Sequence, residues 1–281
     1  MGISASTRAG VVCVIGFALV VAAAGACHAQ EDAQWSTLTY PLAGNIRTQE
    51  GTLIVQFRID EDLDAPMGEW FNPEVGNWWN RFTVYNLQIN ERNRLLLFWK
   101  TGADEAKGNL HTSISFPGDT ANITGTRETS RWETGEIHTV GYTWTTEGIH
   151  QLWPDGESTK AVLSQTPSLG LGEFDPGVAS LTFGGRGHAV TVTGVHILRR
   201  PLSVEEFARP SEELLEMTGD TMLLDTFEDE ELEPGAKQQT RATFISGFSG
   251  ERGGTVKPGC RLVETEAGPG IAVYTPPAGE Q

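Results

Sequence analysis

The stretch W-E-T-G-E-I-H-T-V-G-Y-T-W, Trp132 to Trp144, running on through G-I-H-Q-L-W-P-D-G-E to Glu157, decides the fold class. His138, Val140, Tyr142 and Trp144 fall on one face of a period-2 strand, and Ile137, Thr139, Gly141 and Thr143 on the other. Thr145-Thr-Glu-Gly148 supplies turn chemistry before a return strand at Ile149 to Trp153, which Pro154-Asp155-Gly156 closes with a second turn. A second stretch, Phe183 to Phe207, contains a longer strand in which Val190, Val192, Gly194, His196 and Leu198 alternate with Thr191, Thr193, Val195 and Ile197. Both of its faces are apolar enough to be at least partly covered. It ends where Ser203-Val-Glu-Glu206 has the form of a capping box opening a short helix.

These segments, with Gly51-Thr-Leu-Ile-Val-Gln-Phe-Arg-Ile59 as an early strand and Arg200-Pro-Leu-Ser-Val-Glu-Glu206 after the last one, resemble the LamG-like, concanavalin A-like lectin-glucanase family. The resemblance runs from about Thr39 to Glu216. It implies an all-β fold: a two-sheet antiparallel jelly-roll sandwich with one short helix after the last core strand. Many relatives carry an Asp-Glu pair in that last strand, where this chain has Thr193-Gly194, so a role resting on that pair is not transferred.

Between Gly51 and Val190, short alternating segments are separated by Gly, Asn, Asp and Pro clusters, as an antiparallel sandwich requires. Strands are expected at Thr52–Ile59, Arg81–Ile89, Arg94–Thr101, Leu110–Phe116, Ile137–Thr145, Ile149–Trp153, Lys160–Leu163, Ser180–Phe183 and Ala189–Arg199. Helix is expected only across Val204 to Met217. Beyond it, Thr221 to Phe227 is strand-like and Glu228 to Glu233 is acidic; apolar runs follow at Cys260–Val263 and Ile271–Tyr274. In relatives such a start and finish introduce the jelly roll. Here they follow it, so residues 217–281 are expected to be an extension that packs back on the sandwich at 36–216, because unpaired strands would leave aggregation-prone edges. A truncated second module, or donation to a neighbouring copy, would satisfy the same pattern.

Residues 1–29 have the character of an export signal: Arg8, then an apolar run from Gly10 to Ala26 ending in small residues. Cleavage after Ala26 or Ala29 fits, and Cys27 raises the alternative of a lipid anchor. An extracellular, periplasmic or cell-envelope location follows. No later stretch approaches the roughly 20 apolar residues of a membrane span. Cys13 leaves with the signal and Cys27 sits at the cleavage boundary, so a disulfide framework is excluded, a Cys27–Cys260 bridge is open only if Cys27 is retained and unacylated, and a packed core must supply the stability. The formal charge of −17 argues against nucleic acid or an anionic membrane as partner, since either needs a basic face.

Four aromatic residues, Trp70, Phe71, Trp78 and Trp79, lie in a segment dense in Asn, Gly and Pro that ends at Asn80. Flat rings beside amides suit stacking on sugar rings, with Asn taking hydroxyls; alternation would instead send one ring of each pair into the core. Trp99, Trp132, Trp144 and Trp153 lie on or beside strands and are expected in the core. Asp60, Asp62 and Asp64 put oxygen ligands at alternate positions, as a calcium loop does, but Ala65 and Phe71 stand where an EF-hand needs Gly and Glu. A looser calcium site or a solvated turn fits them. No strand carries the spaced carboxylates of a laminarinase-type hydrolase. A lyase-type Tyr/His pair could be drawn from Tyr142, His138 and His150, with packing roles as the plainer reading.

The sequence therefore points to an exported module that binds carbohydrate or a cell-surface or matrix protein. A polysaccharide-active enzyme on the same fold, or an envelope structural protein, are the competing classes.

Overall fold

The computed structural model describes residues 36–60, 82–91, 94–101, 107–114, 123–130, 132–157, 162–163, 170–184, 189–228, 230–233, 237–242 and 253–273. The expected signal and Cys27 lie outside them. The strands are β1 (Thr37–Pro41), β2 (Gly51–Ile59), β3 (Phe82–Gln88), β4 (Arg94–Thr101), β5 (Lys107–Ile114), β6 (Ile123–Ser130), β7 (Ile137–Trp144), β8 (Ile149–Pro154), β9 (Val162–Leu163), β10 (Ser180–Gly184), β11 (Val190–Leu198), β12 (Thr221–Asp225), β13 (Gln238–Gln239), β14 (Thr255–Val256), β15 (Arg261–Thr265) and β16 (Gly268–Val273). Two four-residue helices, α1 (Val204–Phe207) and α2 (Ser211–Leu214), stand where one helix is expected. Pro210 divides them: its ring cannot continue a helix, and it starts the second turn instead.

The strands form a two-sheet antiparallel jelly-roll sandwich. Sheet I has the order β13-β14-β1-β10-β3-β4-β5-β6; sheet II has the order β15-β16-β11-β2-β7-β8-β9, with β12 also on β11. The outer edge of β11 is shared: Val190 to Val192 pair with β16, and Val195 to Leu198 with β12. Residues after 220 thus add strands to both sheets, β13 and β14 to sheet I and β12, β15 and β16 to sheet II.

The core between the sheets follows from period-2 alternation. Leu53, Val55, Phe57 and Ile59 of β2 meet Val140, Tyr142 and Trp144 of β7, and both face Leu38 and Tyr40 of β1, Leu181 and Phe183 of β10, and Tyr85 and Leu87 of β3. Trp132 and Trp144 are buried among them, and the Trp144 indole Nε1 donates to Arg47 O at 2.9 Å. Trp153 is buried too, but on the opposite face of sheet II; Trp99 lies on β4.

The alternation expected along β11 does not run through. A bulge between Val192 and Gly194 shifts the register against β2. Val190, Val192, Val195 and Ile197 all join the core, while Leu198 turns to the other side. Gly194 sits where one extra residue must be absorbed, as a bulge requires.

Candidate functional site

The two outward faces of the sandwich differ in what their side chains meet. On sheet II, Ile54, Trp153 and Leu198 form a second apolar cluster with Phe207 of α1 and Leu214 of α2. Phe207 stacks on Trp153 with centroids 4.5 Å apart and planes 12° from parallel. A Cβ on Gly141 would stand 2.1 Å from the Phe207 ring, and one on Gly194 2.5 Å from Leu215, so these two glycines make the recesses into which the helical segment drops. Arg200 holds it there, with Nη1 and Nη2 on the Glu206 carboxylate and Nε on Asp220. The Arg200 guanidinium brings Glu206 down to about 2. The expected capping box is present: Ser203 Oγ accepts from Glu206 N, and Glu206 Oε2 accepts from Ser203 N at 2.9 Å.

Sheet I carries no such cover among the described residues. Its outward positions are Thr37, Thr39 and Pro41 on β1, Ser180 and Thr182 on β10, Asn86 and Gln88 on β3, Thr255 on β14 and Gln239 on β13, all half-buried or exposed. Register aligns them in rows. Gln239 pairs with Thr255, Thr255 with Thr39, Thr39 with Thr182, and Thr182 with Asn86. By backbone register the same row continues through Leu96 and Ser113 to Thr124. Thr39 Oγ1 and Thr182 Oγ1 are 3.3 Å apart, and the Asn86 Oδ1 atom is itself buried without a hydrogen-bond partner. From Gln239 to Asn86 the row is made of hydroxyls and amides alone, on a chain of formal charge −17. At about 4.8 Å per strand it extends about 20 Å.

One pole of the sandwich gathers a second set of charged groups. Ile59 pairs with Val190, and Arg58 with Ile137, so the end of β2 and the starts of β11 and β7 lie together. Asp60, the first residue of the candidate calcium triplet, is here. Its Oδ1 accepts from Arg58 Nε at 2.7 Å and its Oδ2 from Thr191 Oγ1 at 2.5 Å, so both oxygens bind protein donors. Asp62 and Asp64 lie outside the described residues, as do Trp70, Phe71, Trp78, Trp79 and Asn80. The strand ends that bracket those residues, Ile59 and Phe82, both belong to this pole. Among the described residues no three acidic, histidine or cysteine side chains are grouped to hold a metal ion.

His138 sits at the same pole, stacked on Trp132 at 4.0 Å and 19°. Its Nδ1 is 3.0 Å from Asp155 Oδ2, and Asp155 Oδ1 accepts from Thr139 N at 2.9 Å. Its Nε2 is 3.4 Å from Glu136 Oε2. His150 and Tyr142, the other members of the lyase-type set, bond to each other instead: Tyr142 Oη and His150 Nδ1 are 2.8 Å apart in the core, each about 2 % exposed or less. Burial pushes His150 down to about 4 and Tyr142 well above the usual phenol range, so both are neutral at ordinary pH. His196 is consumed by the helical cover: Nδ1 donates to Leu214 O at 2.6 Å and Nε2 meets Thr221 Oγ1 at 2.8 Å. The three histidines thus lie in three places, the pole, the core and the outer face of sheet II, and do not converge.

Reading the sequence alone misses the sheet I row. Its members are distant in sequence, Thr39 and Thr182 being 143 residues apart, and no local motif marks them. The signal that was available is compositional: β1 places Thr37 and Thr39, and β10 places Ser180 and Thr182, at alternate positions beside buried partners.

No protein-family model matches the chain, and no curated protein does. Among solved structures, a phenylalanine-to-alanine mutant of HCR/D aligns with 15% identity over 62% of this chain and 40% of that one, with a TM-score of 0.40. The botulinum neurotoxin serotype D binding domain gives 16% identity over 58% and 36%, with a TM-score of 0.36. The binding domain of botulinum neurotoxin DC in complex with SialylT gives 9% identity over 57% and 34%, with a TM-score of 0.36. The chain spans about two fifths of those structures or less.

Proposed function

We propose that this chain is an exported LamG-like module that binds uncharged carbohydrate on the outer face of sheet I without cleaving it. The observation that carries the reading is the row Gln239, Thr255, Thr39, Thr182 and Asn86, which crosses five strands with no ionisable side chain. Hydroxyl and amide groups donate and accept in equal measure, as sugar hydroxyls do, and no charge has to be desolvated when a neutral chain lies on them. An enzyme would need ionisable groups within reach of one glycosidic bond. The acidic groups named at the pole have protein partners there: Asp60 with Arg58 and Thr191, Asp155 with His138 and Thr139, and Glu136 with Glu133 N and His138.

Trp70, Phe71, Trp78, Trp79 and Asn80, which precede β3 in sequence and lie outside the described residues, enter the proposal as stacking and hydroxyl-binding residues. A calcium ion at Asp60, Asp62 and Asp64 would have to take Asp60 from Arg58 and Thr191, so we place calcium in an ordering role at most. The domain organisation follows the same reading: a sandwich at 36–216 completed by an extension from 217 onward, exported by residues 1–29.

The test is a panel of soluble polysaccharides against the purified protein, with and without calcium, followed for both retention and release of reducing or unsaturated ends. Retention without product release supports the proposal. Product release overturns it, and retention of charged polysaccharides alone would move the ligand away from the uncharged face.

A further inference from the structure

The extension is fastened through a buried polar knot. Asp225, at the end of β12 and 3% exposed, points between the sheets. The Tyr40 hydroxyl of β1 donates to its Oδ2 at 2.8 Å, and the Thr240 hydroxyl donates to the same oxygen. Thr240 Oγ1 in turn accepts from Gly254 N at 2.8 Å, and Thr240 N donates to Gly254 O at 2.8 Å. Gly254 lies against the Tyr40 ring, where a Cβ would come within 2.8 Å of ring carbons. One carboxyl group therefore ties β12 of sheet II, β1 of sheet I and the β13–β14 segment together. The chain makes a sharp turn after it: Phe227, at φ 60°, enters the core, and Glu230 is buried with its carboxylate accepting from Arg241 N.

We propose that Asp225 is a proton-operated latch: with the carboxyl protonated, β13 and β14 are held on the sandwich, and with it ionised they loosen.

The geometry gives the direction. Among the described residues, the titratable groups facing Asp225 are Tyr40 from β1 and Glu230 from the turn; the residue paired with it on β11 is Val195, and neither Tyr40 nor Glu230 is a cation. Burial, reinforced by the Glu230 charge, pushes Asp225 up to about 6, against the pull of the Thr240, Tyr40 and Phe227 N–H bonds. Burial also holds Tyr40 well above the usual phenol range, so it remains a donor throughout. The folded state therefore prefers the protonated carboxyl. Stability conferred by the latch is complete below the ordinary Asp range and falls as pH rises from there through about 6.

The experiment is hydrogen exchange of the full chain between pH 5 and 7.5, corrected for intrinsic rates. Peptides over 237–242 and 253–257 are expected to lose about tenfold in protection across that range, while those over Gly51–Ile59 and Val190–Leu198 do not change. Asp225→Asn, which keeps the acceptor oxygen without the charge, should remove the pH dependence. Glu230→Gln, which takes away the like charge, should reduce it and serves if Asp225→Asn does not fold. Protection of 237–242 and 253–257 that is independent of pH in the unmodified chain would overturn the latch. So would a pH dependence that survives both substitutions, or one shared equally by β2 and β11.

Discussion

On the outer face of sheet II, Gly141 and Gly194 remove two side chains so that Phe207 and Leu215 can pack onto Ile54, Trp153 and Leu198; on the outer face of sheet I, Thr39, Thr182 and Asn86 stand half-buried outside both apolar clusters of the described residues. The same pleated surface is finished in one case as a second core and in the other as a polar plane. What separates them is the choice of residue at outward positions, since both sheets alternate in the same way toward the shared core. A face that has spent glycine and large apolar residues on a cover is closed to ligand. A face of Thr, Ser, Asn and Gln, without an apolar cover among the described residues, suits a partner of matching polarity.

The contrast predicts unequal responses to substitution. Phe207→Ala should cost about 3–5 kcal/mol in folding free energy, measured by denaturant unfolding, because it empties the recess over Gly141. Gly141→Ala alone should cost about 1–3 kcal/mol, since its Cβ would overlap the ring, yet little in the Phe207→Ala background where the ring is gone. Additive costs would mean that Phe207 does not occupy the Gly141 recess.

The next effect comes from two buried groups, one in the core and one in the knot. His150 is brought from 6.5 to about 4, so the folded state refuses a proton that the unfolded chain takes, and stability rises from pH 4 to 6.5 by about 3 kcal/mol at most. Asp225 moves the other way, from 3.8 to about 6, and removes about as much over the same window. The two groups therefore oppose each other between pH 4 and 6.5. Asp225→Asn should expose a slope that rises with pH, and His150→Gln one that falls; equal slopes in both variants would refute the assignment.

Smaller still is the helix anchor. Glu206, held at about 2 by Arg200, adds stability above its ordinary range of about 4.5 that is lost as pH falls from there toward 2. Arg200 is 41% exposed, so the contribution is discounted to about 1 kcal/mol. Glu206→Gln should flatten acid unfolding by that amount. Least of all, Thr39→Val and Thr182→Val should change stability by no more than about 0.5 kcal/mol each, because among the described residues their hydroxyls meet only each other, at 3.3 Å.

The fold was legible wherever one strand carried its own pattern. In β4 the apolar run of Arg94–Thr101 and in β7 the alternation from Ile137 to Trp144 appear in the structure at those positions. β6 was not legible: Ile-Thr-Gly-Thr-Arg-Glu-Thr-Ser has one large apolar residue and no alternation, as suits an edge strand. The phase of β11 was misjudged beyond Gly194, because alternation counted along the sequence has no way to show a bulge unless the glycine is taken as its mark. The histidines were legible as residues and not as partners. His150 and Tyr142 meet across adjacent strands, and His196 meets Leu214 and Thr221 through the helical segment, pairings that only the register fixes. The polar row on sheet I is of the same kind, since its members are joined by the pairing of β13, β14, β1, β10 and β3 and by nothing local.

The most direct test of the open face is affinity electrophoresis in gels containing a neutral polysaccharide that retards the unmodified protein, run beside Thr182→Glu and Phe207→Ala. Thr182 lies in the row between Thr39 and Asn86 and outside the apolar core, so a glutamate there places a charge on the plane while leaving the core side chains in place. The account predicts that Thr182→Glu unfolds like the unmodified chain and migrates as if no polysaccharide were present, while Phe207→Ala, though less stable, is still retarded when folded. Undiminished retardation of Thr182→Glu would contradict it and would put the ligand elsewhere on the molecule.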